Sequence, residues 1–220
     1  MSASGEVVYL VDDDPGVREA LGPFFQSLDI QCVGFRSADE YLAYPRTDEA
    51  ACLILDLQLP GIGGLELQER LMRTSSPPIV FITGYGDVSS TVRAMKCGAV
   101  EFLTKPVDTS ALVSAVTASF AQDRALREQR ADLSSLRRHF ALLSPREREV
   151  LPLVISGLLN KQSAALLGIT EVTLQVHRSQ IMRKMAAGSF ADLVRMASKL
   201  GVPMARTEPV FSSGSQSPKG

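Results

Sequence analysis

Val7-Val8-Tyr9-Leu10-Val11-Asp12-Asp13-Asp14-Pro15 is the stretch that decides the fold: an apolar run closed by three carboxylates and a proline. A short apolar run bounded by turn residues reads as a strand buried on both faces, and Asp14 ahead of Pro15 can cap a following helix with proline in its first turn. Val17, Leu21, Phe24 and Leu28 then recur at helical spacing. The same hand-over is repeated downstream. Residues 52–55 give way to Asp56, residues 79–82 to Thr83, and residues 100–103 to Lys105-Pro106. Strands are therefore predicted near 6–11, 30–34, 51–56, 79–82 and 100–103, alternating with helices, which is the pattern of an α/β doubly wound five-stranded parallel sheet. In such a sheet the crevice beyond the carboxyl ends of the strands is where ligands bind. One crevice then collects Asp12, Asp13, Asp56, Thr83 and Lys105.

Taken singly these residues say little, because an Asp at a strand end is ordinarily a turn or cap and a lone Thr or Lys is ordinarily solvated. Four such signals in order on one sheet edge suit the making and breaking of an acyl phosphate. A carboxylate can attack phosphorus, and the charge spreading over the transferring oxygens calls for a cation, a hydroxyl and an ammonium. Asp56 is the expected nucleophile, Asp13 helped by Asp12 the expected Mg2+ ligands, and Thr83 and Lys105 the expected phosphoryl contacts. Gly61, Gly63 and Gly64 carry no phosphate-loop pattern and read as a turn before a helix over 65–72.

At these residues, from about Val7 to about Phe120, the chain resembles the receiver domain of two-component response regulators. The resemblance implies a flavodoxin-like receiver in which Asp56 is the phosphoacceptor. Its metal site would comprise Asp12, Asp13, Asp56 and the backbone carbonyl of Gln58, holding Mg2+ with Mn2+ as the alternative ion. Thr83 and Phe102 occupy the switch positions, Phe102 as an aromatic that rotates, although a plain core phenylalanine fits its strand equally well. Gln58 and Tyr85 would border the phosphoryl site and, through their bulk, slow self-dephosphorylation. Lys105-Pro106 would be a cis peptide.

At 220 residues the chain is long for one domain and suited to two. No apolar run approaches the roughly 20 residues of a membrane helix, and residues 1–6 lack the basic and apolar regions of a secretory signal. No membrane contact and a cytoplasmic location are therefore expected. Cys32, Cys52 and Cys97 have no metal-binding spacing and read as buried, reduced thiols. The net charge of −1 hides an asymmetry: through Pro106 there are 15 acidic against 8 basic residues, and from Val107 onward 9 against 15. The acidic part suits a cation site; the basic part suits a polyanion such as DNA, although basic segments also bind membranes and acidic proteins.

From Asp108 to about Arg138 neither Gly nor Pro interrupts the chain. This reads as the last receiver helix extended into a linker, either a dimer stalk or a solvated spacer, since sustained heptads are absent. Ser144-Pro145-Arg146-Glu147 is a capping box. Gly157 ends the helix it starts, Asn160 opens a second through Leu167, and Gly168 and Thr170 separate that from a third over 171–185. Short helix, glycine turn, longer basic helix is the helix-turn-helix plan. Leu174, Ile181 and Met185 recur at core spacing, which turns Val172, Gln175, Val176, Ser179 and Arg183 outward.

Residues 142–200 resemble the LuxR-type helix-turn-helix domain, through Leu143-Ser144-Pro145-Arg146-Glu147-Arg148-Glu149-Val150-Leu151, Gly157, Asn160-Lys161, Val176-His177-Arg178 and Met182-Arg183-Lys184-Met185. Joined to a receiver, and with Asp192-Leu193-Val194-Arg195-Met196-Ala197 in a fourth helix, the chain is similar to the FixJ group of response regulators. That implies a receiver over 1–120, a helical linker over 121–138, an all-α four-helix DNA-binding domain over 139–203 and a disordered tail over 204–220. Asn160, Lys161, Thr173, Gln175, Val176, His177, Arg178, Ser179, Arg183 and Lys184 would meet DNA. Gln175 stands where the wider family often has Lys, so base preference does not carry over. His177 falls between core and groove faces and suits either a packed ring or a phosphate donor.

The reading is a phosphorylation-dependent transcriptional regulator, not a turnover enzyme. Its expected partners are a sensor histidine kinase, promoter DNA, a second copy of the chain when phosphorylated, and RNA polymerase. An aspartyl-phosphate hydrolase would want a second Asp where this chain has Gln58, and a phosphate-independent adaptor would have no use for Asp13, Asp56, Thr83 and Lys105 together.

Overall fold

The computed structural model describes residues 5–205 other than Arg46 and Tyr85. Of the expected disordered tail over 204–220, residues 206–220 lie outside the described residues, as does the expected role of Tyr85; at its start the Ala205 N–H donates to the Pro152 carbonyl at 3.3 Å. Apolar strands with no polar face need cover on both sides. They receive it in a parallel sheet of β1 (Glu6–Val11), β2 (Gln31–Phe35), β3 (Ala50–Asp56), β4 (Ile79–Thr83) and β5 (Glu101–Thr104). The order across the sheet is β2-β1-β3-β4-β5, the flavodoxin-like arrangement, whose crevice opens where the winding reverses beside β1 and β3.

Because successive side chains on a strand point to opposite faces, each strand feeds two cores. Val7, Tyr9, Val11, Leu53, Leu55 and Phe81 pack on one side with Tyr41, Leu67, Leu71 and Ala94, from α2 (Ala38–Ala43), α3 (Gly64–Leu71) and α4 (Val88–Lys96). Val8, Leu10, Cys52, Ile54, Val80 and Ile82 pack on the other with Phe25, Leu112, Val116 and Phe120, from α1 (Pro15–Gln26) and α5 (Thr109–Ala141). Asp14 caps α1 by accepting from the Gly16 amide at 2.8 Å, with Pro15 in the first turn.

The chain divides into two compact units between Glu128 and Gln129, inside α5, within the segment that the sequence reading set aside as a linker. The first unit holds α5 through two polar anchors past Phe120. Asp123, 1 % exposed, accepts from the backbone N–H of Ala51 at 2.9 Å and is paired with Arg127. Arg124 is paired with Glu6.

The second unit contains residues 129–141 of α5, then α6 (Pro145–Ile155), α7 (Asn160–Leu167), α8 (Glu171–Lys184) and α9 (Phe190–Lys199). Ser144 and Glu147 form the capping box of α6, Gly168 ends α7 at φ 64°, and Thr170 caps α8. Val150, Leu151, Val154, Leu174, Ile181, Met185, Leu193 and Ala197 form its core.

Gly64 is already inside α3, and its role is close approach rather than loop flexibility. A Cβ built there would lie 2.3 Å from the Asp56 carbonyl oxygen and 3.0 Å from the Leu57 Cα, so the helix can seat against the end of β3 only with glycine. Gly64→Ala should therefore push α3 off that strand end and destabilise the chain by about 1–3 kcal/mol, the usual cost of overpacking. Urea unfolding followed by circular dichroism should show a lower midpoint for the first unit at unchanged slope.

Candidate functional site

The register of the sheet delivers the crevice residues to one edge. Val11 lies opposite Leu55, so Asp12 and Asp56 leave the sheet level with each other; Asp56 pairs with Ile82, one residue short of Thr83. Thr83 pairs with Thr104, and the Lys105 N–H donates to the Thr83 carbonyl at 2.8 Å. The Lys105-Pro106 peptide is cis. Lys105 Nζ thereby reaches Asp12 Oδ2 at 2.7 Å and Asp56 Oδ2 at 2.8 Å.

Charge at this edge is compensated rather than removed. Asp12 is fully buried, and burial is the main influence that raises its pKa; the hydrogen bond from Lys105 works in the opposite direction without reversing it. For Lys105 burial disfavours the ammonium, but the hydrogen bonds to Asp12 and Asp56 outweigh it and the pKa is raised. The amine thus stays protonated through the physiological range. Asp12 Oδ1 accepts from the Asp14 N–H at 3.0 Å, and Asp56 Oδ1 from the Gln58 N–H at 3.2 Å. Asp13 projects to solvent beside them.

Asp12, Asp13 and Asp56 each offer a carboxylate oxygen, all within 4.8 Å of one another. A set of oxygen donors, all carboxylate and partly open to water, fits a hard divalent cation such as Mg2+. Gln58 joins the site through its N–H, with its side chain exposed. Thr83 is fully buried at the end of β4. Phe102 is half-buried, its ring centroid 6.0 Å from that of Phe81. It also lies against Gly86, where a Cβ would come within 2.9 Å of the ring and 3.5 Å of Thr83 Cγ2. Residues 83, 86 and 102 are therefore one packing unit, and the sequence reading had only two of them.

Arg18 is a further contributor that sequence reasoning passed over. From α1 its guanidinium donates to the Asp12 carbonyl, placing a positive charge beneath the acidic turn. Its position one helical turn after Asp14 was the available signal.

In the second unit α8 is divided as its spacing predicts. Leu174, Ile181 and Met185 are fully buried, while Val172, Gln175, Val176, Ser179 and Arg183 are exposed. Lys161 is exposed on α7, and His177 is half-buried. Thr173 is exposed and its N–H is held by the Thr170 hydroxyl at 3.1 Å. Arg178 is partly committed: it donates to Asn160 Oδ1 at 3.0 Å and stacks 5.3 Å from the centre of the Phe190 ring. Lys184 does not share the exposed face. Its ammonium donates to both carboxylate oxygens of Glu147, at 2.9 and 2.7 Å, and Glu147 is 4 % exposed. Among the residues grouped from sequence as DNA contacts, Lys184 is the one whose charge is already satisfied inside the unit.

Two family models match the chain: the response regulator receiver domain over residues 8–117, and the luxR family of bacterial regulatory proteins over residues 141–197. The chain is similar to Nodulation protein W of Bradyrhizobium diazoefficiens, 45 % identical over 92 % of this chain and 89 % of that one. It is also similar to Transcriptional regulatory protein FixJ of Azorhizobium caulinodans, 39 % identical over 89 % and 93 % of the two chains. Among solved structures, response regulator StyR superposes with a TM-score of 0.77 at 44 % identity, covering 88 % of this chain and 98 % of that one. Full-length FixJ from B. japonicum gives a TM-score of 0.52 at 34 % identity over 89 % and 97 % of the chains.

Removing Lys184 while keeping Glu147 should strand a buried carboxylate. Lys184→Met is expected to destabilise the second unit by about 2 kcal/mol, less than the 3–5 kcal/mol of a fully buried pair because Lys184 retains some hydration. Glu147→Gln combined with Lys184→Met should recover most of that loss in chemical denaturation. Burial raises the Glu147 pKa, but the Lys184 and Ser144 hydrogen bonds outweigh it and the net shift is downward. The pair therefore stabilises at neutral pH, and its contribution should vanish as pH falls below the ordinary glutamate range.

Proposed function

This chain belongs to the FixJ group of two-component response regulators, and from that membership we propose how its own residues carry the signal. It is a transcriptional response regulator, a receiver domain joined to a LuxR-type DNA-binding domain. The observation that supports the residue assignment is Lys105 held between Asp12 and Asp56 beside Asp13. Asp56 is the phosphoacceptor. An oxygen of its carboxylate attacks the phosphorus of a phosphohistidine on the partner kinase, the P–N bond breaks, and the imidazole leaves with the bonding pair. Lys105 exchanges its contact with Asp56 Oδ2 for the arriving phosphoryl oxygens, and the Thr83 hydroxyl donates to another.

Asp12, Asp13, Asp56 and the carbonyl of Gln58 would hold Mg2+, or Mn2+ in its place, which when bound supplies charge neutralisation on the phosphoryl oxygens. Movement of Thr83 toward the phosphoryl group vacates space beside Phe102, and the ring packed on Gly86 follows. The surface around Phe102 is thus the bistable element that phosphate biases. In its phosphorylated form the protein binds promoter DNA as a dimer, with RNA polymerase as a further partner, in the cytoplasm. The receiver comprises residues 1–120 together with the turn of α5 through Arg127 that is anchored to Ala51 and Glu6, and residues 139–203 act as the DNA-binding domain. Asn160, Lys161, Arg178 and Arg183 hold the phosphate backbone, while Thr173, Gln175, Val176, His177 and Ser179 face the groove.

Asp56→Asn, nearly isosteric at a strand end, should keep the fold and gain no phosphate from acetyl phosphate and Mg2+ in an intact-mass assay; labelling at the wild-type rate would remove Asp56 from the mechanism. Rapid phosphate turnover by the wild type would instead favour a hydrolase. Asp13→Ala should weaken Mg2+ binding at least tenfold by calorimetry, since it removes the exposed member of the carboxylate set. On DNA, Arg183→Ala should lower the slope of log affinity against log salt by about one. Lys184→Met should leave that slope unchanged, because its ammonium is spent on Glu147.

A further inference from the structure

The outward face of α8 carries an uncharged stripe for which the fold gives no reason. Val172 is 71 % exposed and Val176 55 % exposed. Four residues apart, they stand one above the other on the same side of the helix. A β-branched residue on an exposed helix face lowers helix stability relative to Ala or Leu, because its side chain loses rotamers against the preceding turn. Exposed valines also gain nothing from the core. One such residue is ordinary; two in register, in the first two turns of a helix whose far side is fully packed, call for a partner.

The surroundings say what that partner is. Gln175 and Ser179 flank the pair and are exposed and neutral, while Arg183, about three turns after Val172 on the same helix, brings an exposed cation to the same side. A surface with a neutral, methyl-rich centre and a basic edge complements a major groove, where phosphates line the rim and the 5-methyl group of thymine is the apolar feature of the floor.

We infer that Val172 and Val176 are specificity-determining residues that read the 5-methyl groups of two thymines in the operator. This rests on the assignment of α8 to the groove and adds to it the chemical feature that is recognised. Gln175 beside them can pair with an adenine edge, so the stripe would select thymine-containing steps by apolar contact and neighbouring positions by hydrogen bonding. Val172, in the first turn of α8 and one turn ahead of Val176, would meet a different base from Val176.

Deoxyuridine differs from thymidine only by that methyl group, which makes it the probe. The full-length chain, phosphorylated with acetyl phosphate and Mg2+, would select sites from a random duplex pool. Each thymine of the selected site would then be replaced by deoxyuridine and the dissociation constant measured by fluorescence anisotropy. Two thymines per half-site should each show a loss of about fourfold for wild type, the value of burying one methyl-sized group. Val172→Ala should abolish the loss at one thymine and Val176→Ala at the other, while Gln175→Ala should preserve both. Alanine at either exposed position favours the helix, and unchanged circular dichroism would confirm folding. A wild-type chain that binds its selected site equally well with uracil throughout overturns this inference and leaves the DNA-binding assignment standing; so do full penalties that persist in both alanine variants. Failure of the pool to yield any preferred sequence overturns the groove assignment itself, and this inference with it.

Discussion

The clamp of Lys105 on Asp12 and Asp56 is the constraint on which the first unit depends. Three carboxylates converge at the ends of β1 and β3, and without a cation their mutual repulsion would open the edge of the sheet. Lys105 meets that need from β5, on the far side of the sheet, so the clamp ties the outermost strand to its middle. It can do so only because β4 lies between, with Thr83 accepting from the Lys105 backbone. In the proposed mechanism the cation that stabilises the resting edge is also the one that meets the arriving phosphate, and its change of partner would turn a structural contact into a signal.

The second unit rests on an analogous pair used differently. Glu147 belongs first to local structure, where it closes the capping box of α6, and then to tertiary structure, where it holds Lys184 near the end of α8. A single buried side chain thus fixes both the start of one helix and the rotation of another. The orientation of α8 that brings Val172, Gln175 and Val176 outward follows from its buried residues and from this pair together.

Most of this architecture was legible in the sequence because periodicity is a direct imprint of burial. Four of the five receiver strands, β1, β3, β4 and β5, are apolar runs with a crevice residue at or just past their carboxyl end, so strand ends and candidate site residues were read by the same act; β2 brings none. Leu174, Ile181 and Met185 gave the phase of α8 in the same manner. What escaped depends on contacts between residues distant in sequence. Lys184 carries the same charge as Arg183 and sits next to it, and nothing local says that one faces solvent and the other Glu147. Gly64 resembled a loop glycine because its constraint comes from the carbonyl of Asp56 across a gap that no spacing rule describes. Gly86 was missed for the same reason, since it acts on Phe102 through space; Arg18, which reaches only back to the Asp12 carbonyl, was legible from its place one turn after Asp14.

Asp123 bears on where the receiver ends as a folding unit. At the start of β3, Ala51 turns its N–H toward the side of β4, but β4 has not yet begun, and the buried carboxylate from α5 takes the place of the absent strand. The strand that presents Asp56 at one end is therefore finished at the other by a helix residue beyond position 120. A chain cut at that position would leave an unsatisfied donor among apolar side chains, at a cost of about 1–3 kcal/mol, and would also forfeit the Arg124–Glu6 pair. The outgoing helix completes the sheet before it leaves it, so the isolated receiver is whole only when it extends through Arg127.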